Sequence, residues 1–149
     1  MKTFTSQSLV DTSTIAREIL DQLSSAPRSE GATILALSGD LGAGKTAFTK
    51  LFAEHLGITE TVVSPTFVLA KFYDIPGQQF PWQRLVHIDA YRLESWQELV
   101  TLRFDEVFAD KGTLVIIEWP EQVADTDQGD WVMMHIQLDG EERKITLEI

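Results

Sequence analysis

Residues Thr33 to Thr46 read TILALSGDLGAGKT, and the fold is decided there. Thr33 to Leu37 is an apolar run of the kind found in strands covered on both faces of a parallel sheet. The next stretch, Gly39, Asp40, Leu41, Gly42, Ala43, Gly44, Lys45 and Thr46, fits G-x-x-x-x-G-K-[ST] without a mismatch. An amphipathic helix is predicted from about Gly44 to Leu56, stopped by Gly57. Glycines at 39, 42 and 44 let the backbone curl so that successive N–H groups converge on anionic oxygens. The helix N-terminus adds its partial positive charge. Lys45 is placed to reach β- and γ-phosphates, and the Thr46 hydroxyl to ligate magnesium. The predicted nucleotide-binding set therefore runs from Gly39 through Ala47, with Mg2+ as cofactor.

Outward from this core, a helix is predicted after Ser8, whose spacing to Asp11 resembles a capping box. Ile15, Ala16, Ile19, Leu20 and Leu23 recur on one face of it. Ser24 to Gly31 reads as a loop. Phe67 to Tyr73 and Leu85 to Asp89 read as strands, separated by a loop carrying Pro76, Gly77 and Pro81. Helical spacing through Trp96, Leu99, Leu102 and Val107 predicts one helix over Ser95 to Asp110. Gly112 breaks it before another buried strand, Thr113 to Ile117. Val132, Met134, Ile136 and Leu138 alternate, as do Ile145, Leu147 and Ile149, and Asp139-Gly140 between them signals a hairpin. The sum is an α/β fold: a three-layer P-loop NTPase sandwich with a central mixed sheet and β-hairpin additions, in a single domain over residues 1–149.

Bulk properties narrow the partners. The chain has 149 residues, 44% of them hydrophobic, enough for one substantial core. With no cysteine there is no disulfide, thiolate nucleophile or cysteine-based metal site. No apolar run approaches the roughly 20 residues needed to cross a bilayer, and Met1 to Gln7 lacks the apolar stretch of a signal peptide. The expectation is a soluble, cytoplasmic protein with no membrane partner. A net charge of −11 and the lack of any basic run disfavour strong nucleic-acid binding by this chain alone.

A phosphate loop needs a further acid, usually at the C-terminal end of a neighbouring strand. Asp89 follows Leu85 to Ile88 and Glu118 follows Leu114 to Ile117, and both would face the crevice where α/β folds bind ligands. Asp89 is assigned to the magnesium shell, and Glu118 to the attacking water or a second metal contact; the sequence does not divide the roles. Thr66, in Ser64-Pro65-Thr66, is placed to meet γ-phosphate and magnesium as switch segments do. Arg92 would stabilise charge on the transferring phosphate or bind a partner's carboxylate. His87 reads as a structural histidine near the site, and His55 and His135 as structural. Trp119 touches either the nucleotide base or a partner, or simply packs at the strand end. Trp82, Trp96 and Trp131 read as packing residues or surface anchors.

Four motifs now stand in order: GDLGAGKT at 39–46, SPTF at 64–67, HIDAYR at 87–92 and EWPE at 118–121. In that order and spacing they closely resemble the TsaE family of bacterial P-loop ATPases. The resemblance implies a role in threonylcarbamoyladenosine modification of tRNA, with TsaB and TsaD as protein partners and tRNA met indirectly through their complex. It implies that Lys45 and Thr46 hold phosphate and magnesium, that Thr66 lies in the switch segment, and that Asp89 and Glu118 are the metal-site acids with Trp119 beside them. The catalytic set is then Lys45, Thr66, Asp89 and Glu118, and the metal set Thr46, Asp89 and Glu118. The family pattern has glycine where this chain has Arg103, which bears on the local backbone only. Two other functions fit a P-loop scaffold. A small-molecule kinase would need an arginine-rich lid, and Trp119 onward offers a hairpin instead. A non-catalytic, nucleotide-switched module would not need Asp89 and Glu118.

Overall fold

The strand that feeds the phosphate loop alternates its side chains between two cores. Leu35 and Leu37 point into one and Ile34 and Ala36 into the other, because successive residues of a strand face opposite ways. This computed structural model describes residues 1–27, 30–123 and 129–148. Its elements are β1 (Lys2–Ser6), α1 (Leu9–Ser25), β2 (Thr33–Ser38), α2 (Lys45–His55), β3 (Ala70–Asp74), β4 (Arg84–Asp89), α3 (Trp96–Thr101), α4 (Phe104–Phe108), β5 (Thr113–Glu118), β6 (Val132–Asp139) and β7 (Glu142–Glu148), with a 3-10 turn at Pro120–Gln122.

One sheet joins the strands in the order β1-β7-β6-β2-β5-β4-β3. Its centre is parallel: β2 pairs with β5 and β6, and β4 with β5. Its flanks are antiparallel, with β3 on β4 at one side and the β6–β7 hairpin and β1 at the other. The helices α1 and α2 pack on the face carrying Leu35, Leu85, Ile116 and Ile136, where Phe48 and Phe52 of α2 are wholly buried. The opposite face carries Ile34, Val86, Ile88 and Val115, and packs against Leu99 of α3 and Phe104 of α4. Helices cover both faces of a mixed sheet, so the predicted three-layer α/β sandwich is the observed one.

Several local expectations change. The predicted strand over Phe67 to Tyr73 starts only at Ala70. Before it the chain turns, with Val68 N–H donating to the Pro65 carbonyl at 3.1 Å and Leu69 held at φ +70°. The predicted helix over Ser95 to Asp110 is two short helices, because Arg103 adopts φ +66° and ends the first. In α1, Ser8 Oγ accepts the Asp11 N–H as predicted, but the Asp11 carboxylate takes the Gln7 N–H rather than closing the box on Ser8. The hairpin turn falls at Gly140 and Glu141, one residue beyond the predicted pair, with Gly140 at φ +66°. Strand β1 carries no periodic signal and was not anticipated. Ile149 and part of the Ser24–Gly31 loop lie outside the described residues.

Candidate functional site

Both parallel neighbours in the β2–β5–β4 group end at the same level: Leu37 is opposite Glu118, and Asp89 is opposite Glu118. This register brings the phosphate loop and the two acids to one edge of the sheet, where crevices form in open α/β folds. A cleft of about 240 Å³ opens there, lined by Asp40, Leu41, Gly42, Gly44, Lys45, Thr46, Ala47, Ser64, Thr66, Asp89, Glu118 and Trp119. Of the predicted nucleotide, metal and catalytic set only Gly39 and Ala43 do not line it, and Arg92 stays outside it as well. Gly39 borders an adjoining groove, and Ala43 is buried behind the loop.

The loop has the backbone its glycines allow, with Gly39, Gly42 and Gly44 at φ +154°, +81° and +106°. Inside it the Ala43 N–H donates to the Asp40 carbonyl at 3.0 Å. Lys45 is buried and folds over its own loop, donating to the carbonyls of Gly39 and Asp40. Its ammonium also sits 4.0 Å from the centre of the Trp119 ring, a cation–π contact. Burial holds the Lys45 amine below its ordinary proton affinity, and the neighbouring carboxylates of Glu118, Glu121, Asp89 and Asp40 offset part of that.

Thr66 donates to Asp89 Oδ2 at 3.0 Å and lies 2.6 Å from the Ser64 hydroxyl. The other Asp89 oxygen accepts the Tyr91 N–H at 3.0 Å. Glu118 is buried, and its Oε2 lies 2.5 Å from His87 Nε2, itself wholly buried. His87 is thus the structural histidine the sequence suggested, and it orients Glu118. Trp119 turns the chain out of β5 with φ +59°, and its N–H donates to the Leu37 carbonyl at 3.2 Å, tying it to the loop's entry. Its ring packs against Tyr91 at 5.1 Å. Arg92 does not line the cleft; its guanidinium lies over the Phe67 ring at 5.4 Å. Trp96 and Trp131 share an aromatic cluster with Phe108, and Trp82 is buried with its indole N–H on Thr33.

Magnesium fits these residues by donor chemistry. Among the described residues no three His, Cys, Asp or Glu side chains form a ready-made metal cluster. Magnesium does not need one, since it is held by one or two carboxylates with hydroxyl, phosphate and water oxygens. Thr46, Asp89 and Glu118 offer that set on one cleft. The balance of charge points the same way, because four carboxylates act on the single ammonium of Lys45. A divalent cation accompanying a polyphosphate would offset that excess of negative charge.

Sequence reasoning missed two residues at the site. Ser64 carries no signal of its own beyond the SPTF string. Arg143 stands in no motif, yet its Nε–H donates to the Ala43 carbonyl at 3.0 Å. No local pattern marks an arginine in a hairpin as a loop contact 100 residues away.

The sequence profile of the family described as Threonylcarbamoyl adenosine biosynthesis protein TsaE matches residues 6–145. This chain belongs to the TsaE family. It is 42% identical over 114 residues to the Bacillus subtilis tRNA threonylcarbamoyladenosine biosynthesis protein TsaE, covering 76% of this chain and 67% of that one. To the protein of the same description from Streptomyces coelicolor it is 42% identical over 89 residues, 59% of this chain and 57% of that one. The matched stretch thus spans between just over half and two thirds of these relatives. Its fold is similar to the crystal structure of Bacillus subtilis YdiB, with a TM-score of 0.69, 31% identity, and coverage of 98% of this chain and 83% of that one. No helix among the described residues is long and apolar enough to cross a membrane.

Proposed function

We propose that this chain binds ATP with magnesium, hydrolyses it slowly by itself, and so supports threonylcarbamoyladenosine modification of tRNA together with TsaB and TsaD. One observation carries the reading: the glycine loop, Lys45, Thr46, Thr66, Asp89 and Glu118 line a single cleft at the N-terminus of α2. In it the loop amides and Lys45 hold the phosphates, with Lys45 leaving the Gly39 and Asp40 carbonyls to do so. Thr46 and Asp89 would hold magnesium, which would supply charge neutralisation to the phosphates. Thr66, hydrogen-bonded to Asp89, senses the γ-phosphate. Glu118, steadied by His87, orients the water that attacks γ-phosphorus as the bond to ADP breaks.

Slow turnover follows from what the cleft lacks: no arginine side chain among the described residues lines it. P-loop sites without an arginine at the phosphates turn over at about 10⁻⁴ to 10⁻³ per second. The acidic charge of −11 supports a reading in which the partners grip the tRNA. The test is calorimetric titration of Mg·ADP and Mg·ATP, followed by phosphate release with and without TsaB and TsaD. Saturable binding, slow release alone and faster release in the mixture are expected. No heat of binding, or fast turnover by the isolated chain, contradicts the reading. Replacing magnesium by EDTA should weaken ADP binding at least about tenfold, given the acid excess around Lys45.

A further inference from the structure

Arg143 is half-buried on β7, the middle strand of the β1–β7–β6 antiparallel triplet, opposite Ser6 on one side and Leu138 on the other. It does not line the cleft. Its Nε–H nevertheless donates to the carbonyl of Ala43, inside the phosphate loop, at 3.0 Å. That carbonyl and the Gly44 N–H belong to one peptide unit, and in a trans peptide the two groups point in opposite directions. Holding the carbonyl toward β7 therefore turns the Gly44 N–H away from β7. Gly44 lines the cleft and Ala43 does not, so away from β7 is toward the cleft.

A second observation converges on the same peptide. A Cβ on Gly44 would stand 2.8 Å from Arg143 Nε, and the residue sits at φ +106°. Glycine at 44 thus serves the guanidinium as well as the turn: the arginine packs where a side chain would otherwise be. We infer that Arg143 is a positioning residue for nucleotide binding, fixing the Ala43–Gly44 peptide plane from behind so that the Gly44 amide meets an anionic oxygen without reorganisation. A donor held in place before the ligand arrives costs less to order on binding than one that must be turned. The platform is a paired strand rather than a loop, which is what such precision requires.

This inference rests on the nucleotide reading above, and its test separates the two. Arg143→Met keeps the aliphatic stem and removes the donor. Mg·ADP affinity measured by calorimetry should fall about tenfold, the size of one lost charge-assisted hydrogen bond. The thermal midpoint of the ligand-free variant should stay near that of the parent. In ¹⁵N-labelled protein the Gly44 amide resonance should move strongly when Mg·ADP is added to the parent and weakly in the variant. A purely structural arginine would lower the midpoint and leave the Gly44 response intact, and that result overturns the inference, as does unchanged affinity. Should the variant not fold, the parent still decides. Its Arg143 Nε–H should exchange slowly with solvent and shift when Mg·ADP is added; fast exchange and no shift would overturn the inference. A parent that binds no Mg·ADP sinks the nucleotide reading instead.

Discussion

Lys45 is a cation kept in a buried place by two carbonyls and an indole ring, and burial works against its charge. Lys45→Met removes both the desolvated charge and the ligand contact. The ligand-free protein should melt at the same temperature or higher by calorimetry, while Mg·ADP binding is lost. Function is then held at some expense of stability, as is common at sites. Glu118 allows a sharper separation. Glu118→Gln keeps an oxygen for His87, so phosphate release should fall while the thermal midpoint stays nearly level. Glu118→Ala leaves the wholly buried His87 without its partner and should cost about 1–3 kcal/mol in denaturant unfolding as well. At this scale the sequence was informative where a motif fixes spacing, as in Gly39–Thr46 or Asp89 and Glu118 at strand ends. It was silent on Arg143, whose contact depends on the register of a hairpin far along the chain.

Among the elements, α3 and α4 show how one backbone angle overrides periodicity. The apolar spacing through Trp96, Leu99 and Val107 is continuous, and a single helix satisfies it. Arg103 at φ +66° divides it, a conformation that costs a side-chain-bearing residue about 1 kcal/mol or more. Arg103→Gly should therefore stabilise the protein by roughly 0.5–1 kcal/mol in urea unfolding, net of the glycine's extra freedom when unfolded. A decrease in stability would mean that the Arg103–Glu106 contact at 4.0 Å outweighs the strain. The strand predicted from Phe67 fails for a related reason. Aromatic and branched residues favour strands only where they pack, and Phe67 is 87% exposed. β1 escaped notice because an edge strand gains its order from its neighbour β7 rather than from its own pattern. By contrast β2, β4 and β5, buried on both faces, were legible as apolar runs.

Across the whole molecule, the cleft draws on the loop after β2, α2, β4, β5 and the segment before β3, so a ligand there ties together elements along the centre of the sheet. With free Mg·ADP at one hundred times its dissociation constant, stability should rise by about 2.7 kcal/mol. For a chain of this size that is roughly 5–10 °C in thermal midpoint, and EDTA should remove about half of it or more. The sheet also sorts the four tryptophans of the chain. Trp82, Trp96 and Trp131 are locked into packing, and Trp119 alone among them lines the cleft, beneath the Lys45 ammonium. Three indoles thus give a constant optical background while the fourth changes its surroundings whenever the lysine lifts off. The emission spectrum of the unlabelled protein becomes a native gauge of cleft occupancy, which Trp119→Phe would silence.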